Sequence, residues 1–270
     1  MKGLMTGRRR TMENQQQTTP TDSTLLMPDT GPEAIDTAAQ LAKRHWWMDA
    51  SDDELNARYA ATESREDIQA KAKSEAAWRA IVGDWGTRYA ASDLDEYIVD
   101  GKEQIEVLSK VKGYANRLAE NIKAGRSITL FGPYGTGKDF LVSALMRLAV
   151  LECGLSGKWV NGQDFYGRVR DSMDGGEREA KLVKELVTPD ILAISDPVPP
   201  KGDVSAFQQS ILYRAIDGRY RNCKATWVTM NVANFKEASE RMGGAAMDRL
   251  TQEGLGLYCN WESFRQRNVR

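Results

Sequence analysis

Between Ser127 and Leu145 the chain reads SITLFGPYGTGKDFLVSAL, and this stretch restricts the possible folds more than any other. Residues 127–131 are a short apolar, β-branched run, which predicts a buried strand. The run opens into Gly132-Pro133-Tyr134-Gly135-Thr136-Gly137-Lys138, a match to G-x-x-x-x-G-K, and then into the helical spacing of Phe140, Leu141, Ala144 and Leu145. Strand, glycine loop and helix in that order form the context of a phosphate-binding loop. The glycines let backbone N–H groups turn inward around an anion, and the helix N-terminus adds its positive dipole end. Lys138 is spaced to reach the β- and γ-phosphates of a nucleoside triphosphate. The predicted binding set is Gly132, Pro133, Tyr134, Gly135, Thr136, Gly137, Lys138, Asp139 and Phe140. One member departs from the pattern. The position after the lysine normally carries a Ser or Thr hydroxyl for Mg²⁺, and here it is Asp139.

Composition removes several function classes. The 270 residues hold 37 Lys+Arg against 38 Asp+Glu, a net charge of -1, so no global basic field points to nucleic acid or an anionic membrane. Any DNA contact has to come from a local patch. No apolar run is long enough for a membrane span. Arg8, Arg9 and Arg10 are followed by polar MENQQQTTPTDS, unlike a secretory signal. Three widely spaced cysteines (Cys153, Cys223, Cys259) read as reduced residues, and the expected compartment is the cytoplasm. His45 is the sole histidine, which excludes histidine-based metal sites and triads.

Along the chain, residues 1–31 are rich in Gln, Thr, Pro, Asp and Gly and are expected to be disordered. Residues 32–86 read as a small helical module, with one helix from Pro32, a second short one capped by Ser51-Asp52-Asp53-Glu54, and a third from Thr62 to about Gly83. Trp46, Trp47, Trp78 and Trp85 in this module serve either internal packing or the docking of a partner protein. Residues 87–270 form the third region. Its first strong helix is expected over 101–124, with Ile105, Leu108, Val111, Ala115 and Leu118 on one face. Strands are expected at 127–131, 158–161, 191–194, 225–230 and 255–259, with helices between them. Five strands alternating with helices predict a parallel sheet covered on both faces.

A phosphate-binding loop needs a second acidic element at the end of a neighbouring buried strand, to hold Mg²⁺ and to polarise the attacking water. Ile191-Leu192-Ala193-Ile194-Ser195-Asp196 is the candidate. Counted without a gap, Ser195 stands at the metal position and Asp196 at the water position. Asp139 and Ser195 would then have exchanged the usual carboxylate and hydroxyl, with Asp139, Ser195 and Asp196 as the metal set. The other reading is a site that binds nucleotide and hydrolyses it poorly. Asn231 ends the strand at 225–230, where it can reach the γ-phosphate or its water; an Asn that opens the next loop is the plainer alternative. By spacing alone, Arg249 in MDRL and Arg265 in ESFR read as surface arginines.

From about residue 87 to 266 the chain resembles the DnaC-type bacterial replicative-helicase loaders and the related transposition-helper ATPases, an AAA+ group. The stretches that carry the likeness are RYAASDLDEY, LFGPYGTGKD, WVNGQDFYGRVRDS, PDILAISD, WVTMN, GGAAMDRL and NWESFR. The resemblance implies a P-loop α/β fold, a three-layer αβα sandwich around a five-stranded parallel sheet of order 5-1-4-3-2, without a separate lid. It implies ATP and Mg²⁺ as cofactors. It makes Asn231 similar to the first sensor, Arg249 to the arginine finger that reaches a neighbouring subunit, and Arg265 to the second sensor, with Asp196 completing the catalytic set. It further implies a homo-oligomer, a replicative helicase or another DNA-processing protein as partner, and single-stranded DNA, for which Arg168, Arg170, Arg219, Arg221 and Lys224 are candidates. Asp139, Ser195 and Asp196, with Pro197-Val198-Pro199-Pro200 after them, depart from the family pattern. Three functions remain in play: a helicase loader or remodeller, a transposase-helper ATPase, and a nucleotide-gated adaptor with little turnover.

Overall fold

The computed structural model describes residues 50–171, 176–199 and 204–267. The tail at 1–31 and the first helix expected from Pro32 lie outside them. By its contacts the chain divides into Met1–Ala57 and Arg58–Arg270, and the second unit holds the sheet.

In place of two short helices, a single 34-residue helix, α1, spans Asp52–Trp85. Its start is the expected capping box: the Ser51 N–H donates to Glu54 Oε2 (3.1 Å) and the Glu54 N–H to Ser51 Oγ (3.3 Å). Nothing between 55 and 83 breaks the helix, since Thr62 turns its hydroxyl back onto the Arg58 carbonyl and leaves the backbone ladder intact. From Arg58 to Lys73 every described side chain is exposed. Its last turns differ: Trp78 and Ile81 are buried in the core under the sheet.

The helix expected over 101–124 is two helices, α2 (Lys102–Ala115) and α3 (Leu118–Lys123). The buried face of α2 is Gln104, Val107, Val111 and Tyr114, and Ile105 is 58% exposed, contrary to the expected stripe. Ile105 and Val111 stand six positions apart on the same helix, about 120° around its axis, so they do not share a buried face, and the break at Asn116-Arg117 puts Leu118 in a separate helix. Asn121 Nδ2 donates to the Tyr114 carbonyl across the break (2.9 Å).

The five strands are β1 (Ile128–Phe131), β2 (Gly157–Asn161), β3 (Ile191–Ser195), β4 (Ala225–Met230) and β5 (Leu255–Tyr258). All pairings are parallel, in the order β2-β3-β4-β1-β5, which is 5-1-4-3-2 read from the other edge. Between them run α4 (Lys138–Leu151), α5 (Gly162–Asp171), α6 (Gly176–Val187), α7 (Ala206–Arg221), α8 (Phe235–Met242) and α9 (Gly244–Thr251), with α10 (Phe264–Arg267) last.

Strand residues point alternately to the two faces. Ile191, Ala193, Ala225 and Trp227 meet α2, α3, α4 and the end of α1 in one buried cluster. Leu192, Ile194, Val228 and Met230 meet α5 to α9 in the other. Central strands buried on both faces explain why β3 and β4 read as continuous apolar runs, and the result is the three-layer αβα sandwich expected. The carboxyl ends of β1, β3 and β4 open on one edge, where ligands bind in open parallel sheets.

Candidate functional site

The loop after β1 is built by close backbone approach. Gly132 has φ 141°, and a Cβ there would lie 2.3 Å from the Cys259 carbonyl oxygen. Gly137 takes the left-handed conformation (φ 83°) that turns the chain into α4. The segment after β5 straps the loop: the Phe264 N–H donates to the Gly135 carbonyl (2.9 Å), and Trp261 Nε1 to the Thr136 carbonyl (3.0 Å). Tyr97, from the turn before α2, donates its hydroxyl to the same Thr136 carbonyl (2.8 Å).

Lys138, the first residue of α4, is buried and satisfied by the loop itself. Its Nζ donates to the carbonyls of Gly132 (3.0 Å) and Pro133 (2.6 Å) and to Asn231 Oδ1 (2.9 Å). Burial pushes its pKa down, and the carboxylates of Asp196 and Asp139 push it back up. Asn231, just past β4, donates Nδ2 to Asp196 Oδ1 (2.6 Å) and so bridges the lysine to the strand-end carboxylate. Asp196 sits at φ 49°, its N–H tied to the Thr229 carbonyl (2.9 Å). Burial first and the charge of Asp139 second raise its pKa to about 6. Burial also raises Asp139, while Thr229 and Lys138 pull it down.

The exchange expected between Asp139 and Ser195 is not what the structure draws. Ser195 is 3% exposed and lies outside the lining of the cavity. Its Oγ accepts from Trp159 Nε1 (3.3 Å) and from Asn161 Nδ2 (3.5 Å). The hydroxyl that meets Asp139 comes from one strand over: Thr229 Oγ1 donates to Asp139 Oδ1 (2.6 Å), and Thr229 is the register partner of Ser195. Counting along β3 could not find it, because the contact depends on which strand lies beside β1.

Lys138, Asp139, Phe140, Tyr134, Gly135, Gly137, Asp196, Asn231 and Arg265 line a cavity of about 530 Å³. Its remaining wall comes from 88–100, chiefly Arg88, Tyr89, Glu96, Tyr97 and Ile98, with Phe264 from α10. A pocket of this size with aromatic sides and a few convergent charged groups suits a nucleotide. Sequence reasoning assigned no role to 88–100 in the site, although RYAASDLDEY was itself a recognised stretch. Gly132, Pro133 and Thr136 shape the loop from beneath without lining the cavity.

Arg249 does not join this cavity. It lies on α9, where Nε meets Asp217 Oδ1 (3.1 Å), Nη1 meets Asp248 Oδ2 (3.0 Å), and the guanidinium lies over the rings of Tyr213 and Tyr220. The DNA candidates separate in a similar way. Arg219 is 0% exposed and donates to the carbonyls of Leu186, Pro189, Asp190 and Ala225 and to Thr226 Oγ1, so it is a structural cross-link. Arg168 pairs with Glu185, Arg221 with Asp217 and Lys224 with Asp190, and Arg170 is exposed.

Among the described residues no cluster of three or more acidic, His or Cys side chains could hold a metal by itself. Asp139 and Asp196 nevertheless fit Mg²⁺, which binds one or two carboxylates together with phosphate oxygens and water. Both carboxyls are destabilised as anions by burial, and Asp196 by Asp139 as well, which a divalent cation would relieve.

A family model described as IstB-like ATP binding protein matches residues 110–270. No curated protein matches the chain. Among solved structures, the DnaC helicase loader is similar at 22% identity and TM-score 0.56, over 64% of this chain and 99% of that one. DnaI is similar at 14% identity and TM-score 0.52, over 64% of this chain and 90% of its own. AMPPCP-bound DnaA from Aquifex aeolicus is similar at 16% identity and TM-score 0.51, over 66% of this chain and 53% of its own. At such identities the likeness is one of fold.

Proposed function

We propose that this chain, which belongs to the IstB-like ATP-binding protein family, hydrolyses ATP as an AAA+ assembly switch that loads or remodels a replicative helicase on DNA. One observation carries the reading: a single cavity collects Lys138, Asp139, Asp196, Asn231 and Arg265 at the carboxyl edge of a parallel sheet. The likeness of the fold to a helicase loader supports the choice of partner.

Loop N–H groups and the α4 N-terminus bind the phosphates, and Lys138 leaves the loop carbonyls for them. Asp139 and Asp196 would hold Mg²⁺, which would supply charge neutralisation at the phosphates. Asn231 orients the attacking water, and Asp196, hydrogen-bonded to Asn231, takes its proton on a carboxylate oxygen. Arg265 meets the γ-phosphate within the same subunit. Arg249, displayed on α9 outside this cavity, acts on the ATP of a neighbouring copy, which makes turnover depend on a homo-oligomer. The module at 32–86 grips the partner, and the exposure of α1 from Arg58 to Lys73 supports that role. Among the described residues no helix is long and apolar enough to cross a membrane, and a cytoplasmic setting is proposed with the rest.

The family match favours a second reading, a transposase-helper ATPase that assembles on duplex DNA. Steady-state hydrolysis of Mg²⁺-ATP by wild type and Arg249→Ala, alone and mixed, with single-stranded or duplex DNA, tests both. Stimulation by single strands, lost in Arg249→Ala while ATP binding survives, is expected. Stimulation by duplex alone would select the second reading. Tight ATP binding without turnover in any condition would make the protein a nucleotide-gated adaptor.

A further inference from the structure

Ser195 stands where a strand-end metal ligand is expected, yet its hydroxyl is turned away to another task. It accepts the indole N–H of Trp159 (3.3 Å), a buried donor that needs an acceptor. Trp159 stacks on Trp85, the last residue of α1, with ring centroids 3.7 Å apart and planes at 18°. Trp85 also stacks on Tyr89, at 4.9 Å and 22°, and Tyr89 lines the nucleotide cavity. The foot of α1 is therefore held between the cavity wall and the residue directly before Asp196. Supporting contacts hold the same corner: Trp78 Nε1 donates to the Ala90 carbonyl (3.2 Å), and Ser143 Oγ of α4 to the Tyr89 carbonyl (2.9 Å).

We propose that Ser195, Trp159 and Trp85 are positioning residues that tie the foot of α1 to the strand end carrying Asp196, so that nucleotide in the cavity and load on α1 act on each other through the ring stack. The proposal rests on the ATP-binding reading above. It also accounts for serine at this position. A carboxylate there would be buried against an indole, whereas a hydroxyl fits the space and satisfies the donor.

The test uses the full chain and two readouts. Binding of a fluorescent ATP analogue to the wild type is measured first. Far-UV circular dichroism then follows the exciton couplet expected of a close stacked tryptophan pair, assigned by its loss in Trp85→Phe and in Trp159→Phe. The wild-type couplet changes when ATP is added, and Ser195→Ala retains the resting couplet but loses the ATP-induced change. In hydrolysis, Ser195→Ala and Trp85→Ala each lower kcat about tenfold with KM within about threefold, and the double variant is no worse than either single one. Ser195→Thr, which keeps the hydroxyl, and Trp85→Phe, which keeps a ring, restore most of the rate. ATP binding with an unchanged couplet would overturn the relay and leave the ATP-binding reading standing. Additive rate losses, or no rescue by the conservative pair, would also overturn it. No binding of the analogue at all would remove both readings.

Discussion

Arg219 shows how far a residue's type can mislead when its surroundings are unknown. As a basic residue near the end of an amphipathic helix it was a natural nucleic-acid candidate, yet it is fully buried and its guanidinium gathers carbonyls from the α6–β3 connection and from β4. The buried Leu186 and Ala225 carbonyls lose a partner when the side chain is removed. Arg219→Met should therefore lower unfolding free energy by about 3 kcal/mol, read as a lower urea midpoint at unchanged slope. Asp196 supplies a pH-dependent counterpart. Its pKa is about 6 in the folded chain against an ordinary 3.8, facing Asp139, Lys138, Arg265 and Asn231. Between those values the folded state binds more protons than the unfolded one, so nucleotide-free stability falls as pH rises through that window and then levels off. The rise in Asp139 adds in the same direction. Asp190, lowered to about 2, acts with the opposite sign and only below its ordinary 3.8. Asp196→Asn should reduce the slope to the part that Asp139 contributes, which urea titrations at a series of pH values would measure.

At the scale of elements, the phosphate-binding loop owes its shape to two partners distant in sequence. One is the Tyr97 turn, and the other is the segment after β5, which brings Trp261 and Phe264 onto the loop carbonyls. Gly132 is where loop and β5 approach most closely, and its φ of 141° is open to few other residues. Gly132→Ala should cost about 3 kcal/mol and abolish nucleotide binding, seen together in thermal melts with and without ATP. Helix periodicity was a good guide to α4, whose apolar positions are buried as spaced, and a poor one to α2. There Ile105 stands about 120° around the helix from Val111 and faces outward, a two-residue break sets Leu118 in a separate helix, and Tyr114, whose hydroxyl donates to the Arg126 carbonyl (2.7 Å), anchors the corner. Capping chemistry needed no tertiary information. Ser51 and Glu54 start α1 as read, and Ser205 with Gln208 forms a second capping box at α7, which the sequence reading did not single out.

For the whole molecule, the last turns of α1 belong to the sheet's core: Trp78 and Ile81 are buried there and Trp85 packs against it. A chain beginning at Arg58 should thus melt cooperatively near the full-length temperature. One beginning at Thr87 would expose Trp159, on which Trp85 stacks, and it should melt at least ~5 °C lower, on the order expected for about 2 kcal/mol in a domain of this size. Differential scanning calorimetry of the two would show it. Mg²⁺-ATP should raise the melting temperature of the longer form with ligand concentration, as binding to the native state alone requires.

The order of strands and helices was legible in the chain, because parallel strands buried on both faces need unbroken apolar runs and a phosphate loop needs glycines at fixed spacing. The loop lysine, Asp196 and Asn231 could be named from local context, Arg265 only through the family resemblance, and the cavity unites them. What the tertiary structure alone decided was adjacency across strands. That Thr229 rather than Ser195 meets Asp139 follows from which strand lies beside which, and that Arg219 closes a core and Trp85 rests on Trp159 follow from which helix packs on which strand. Such contacts join residues up to about a hundred positions apart. Their geometry is set by the packing of the whole sheet, which no local pattern of residues records.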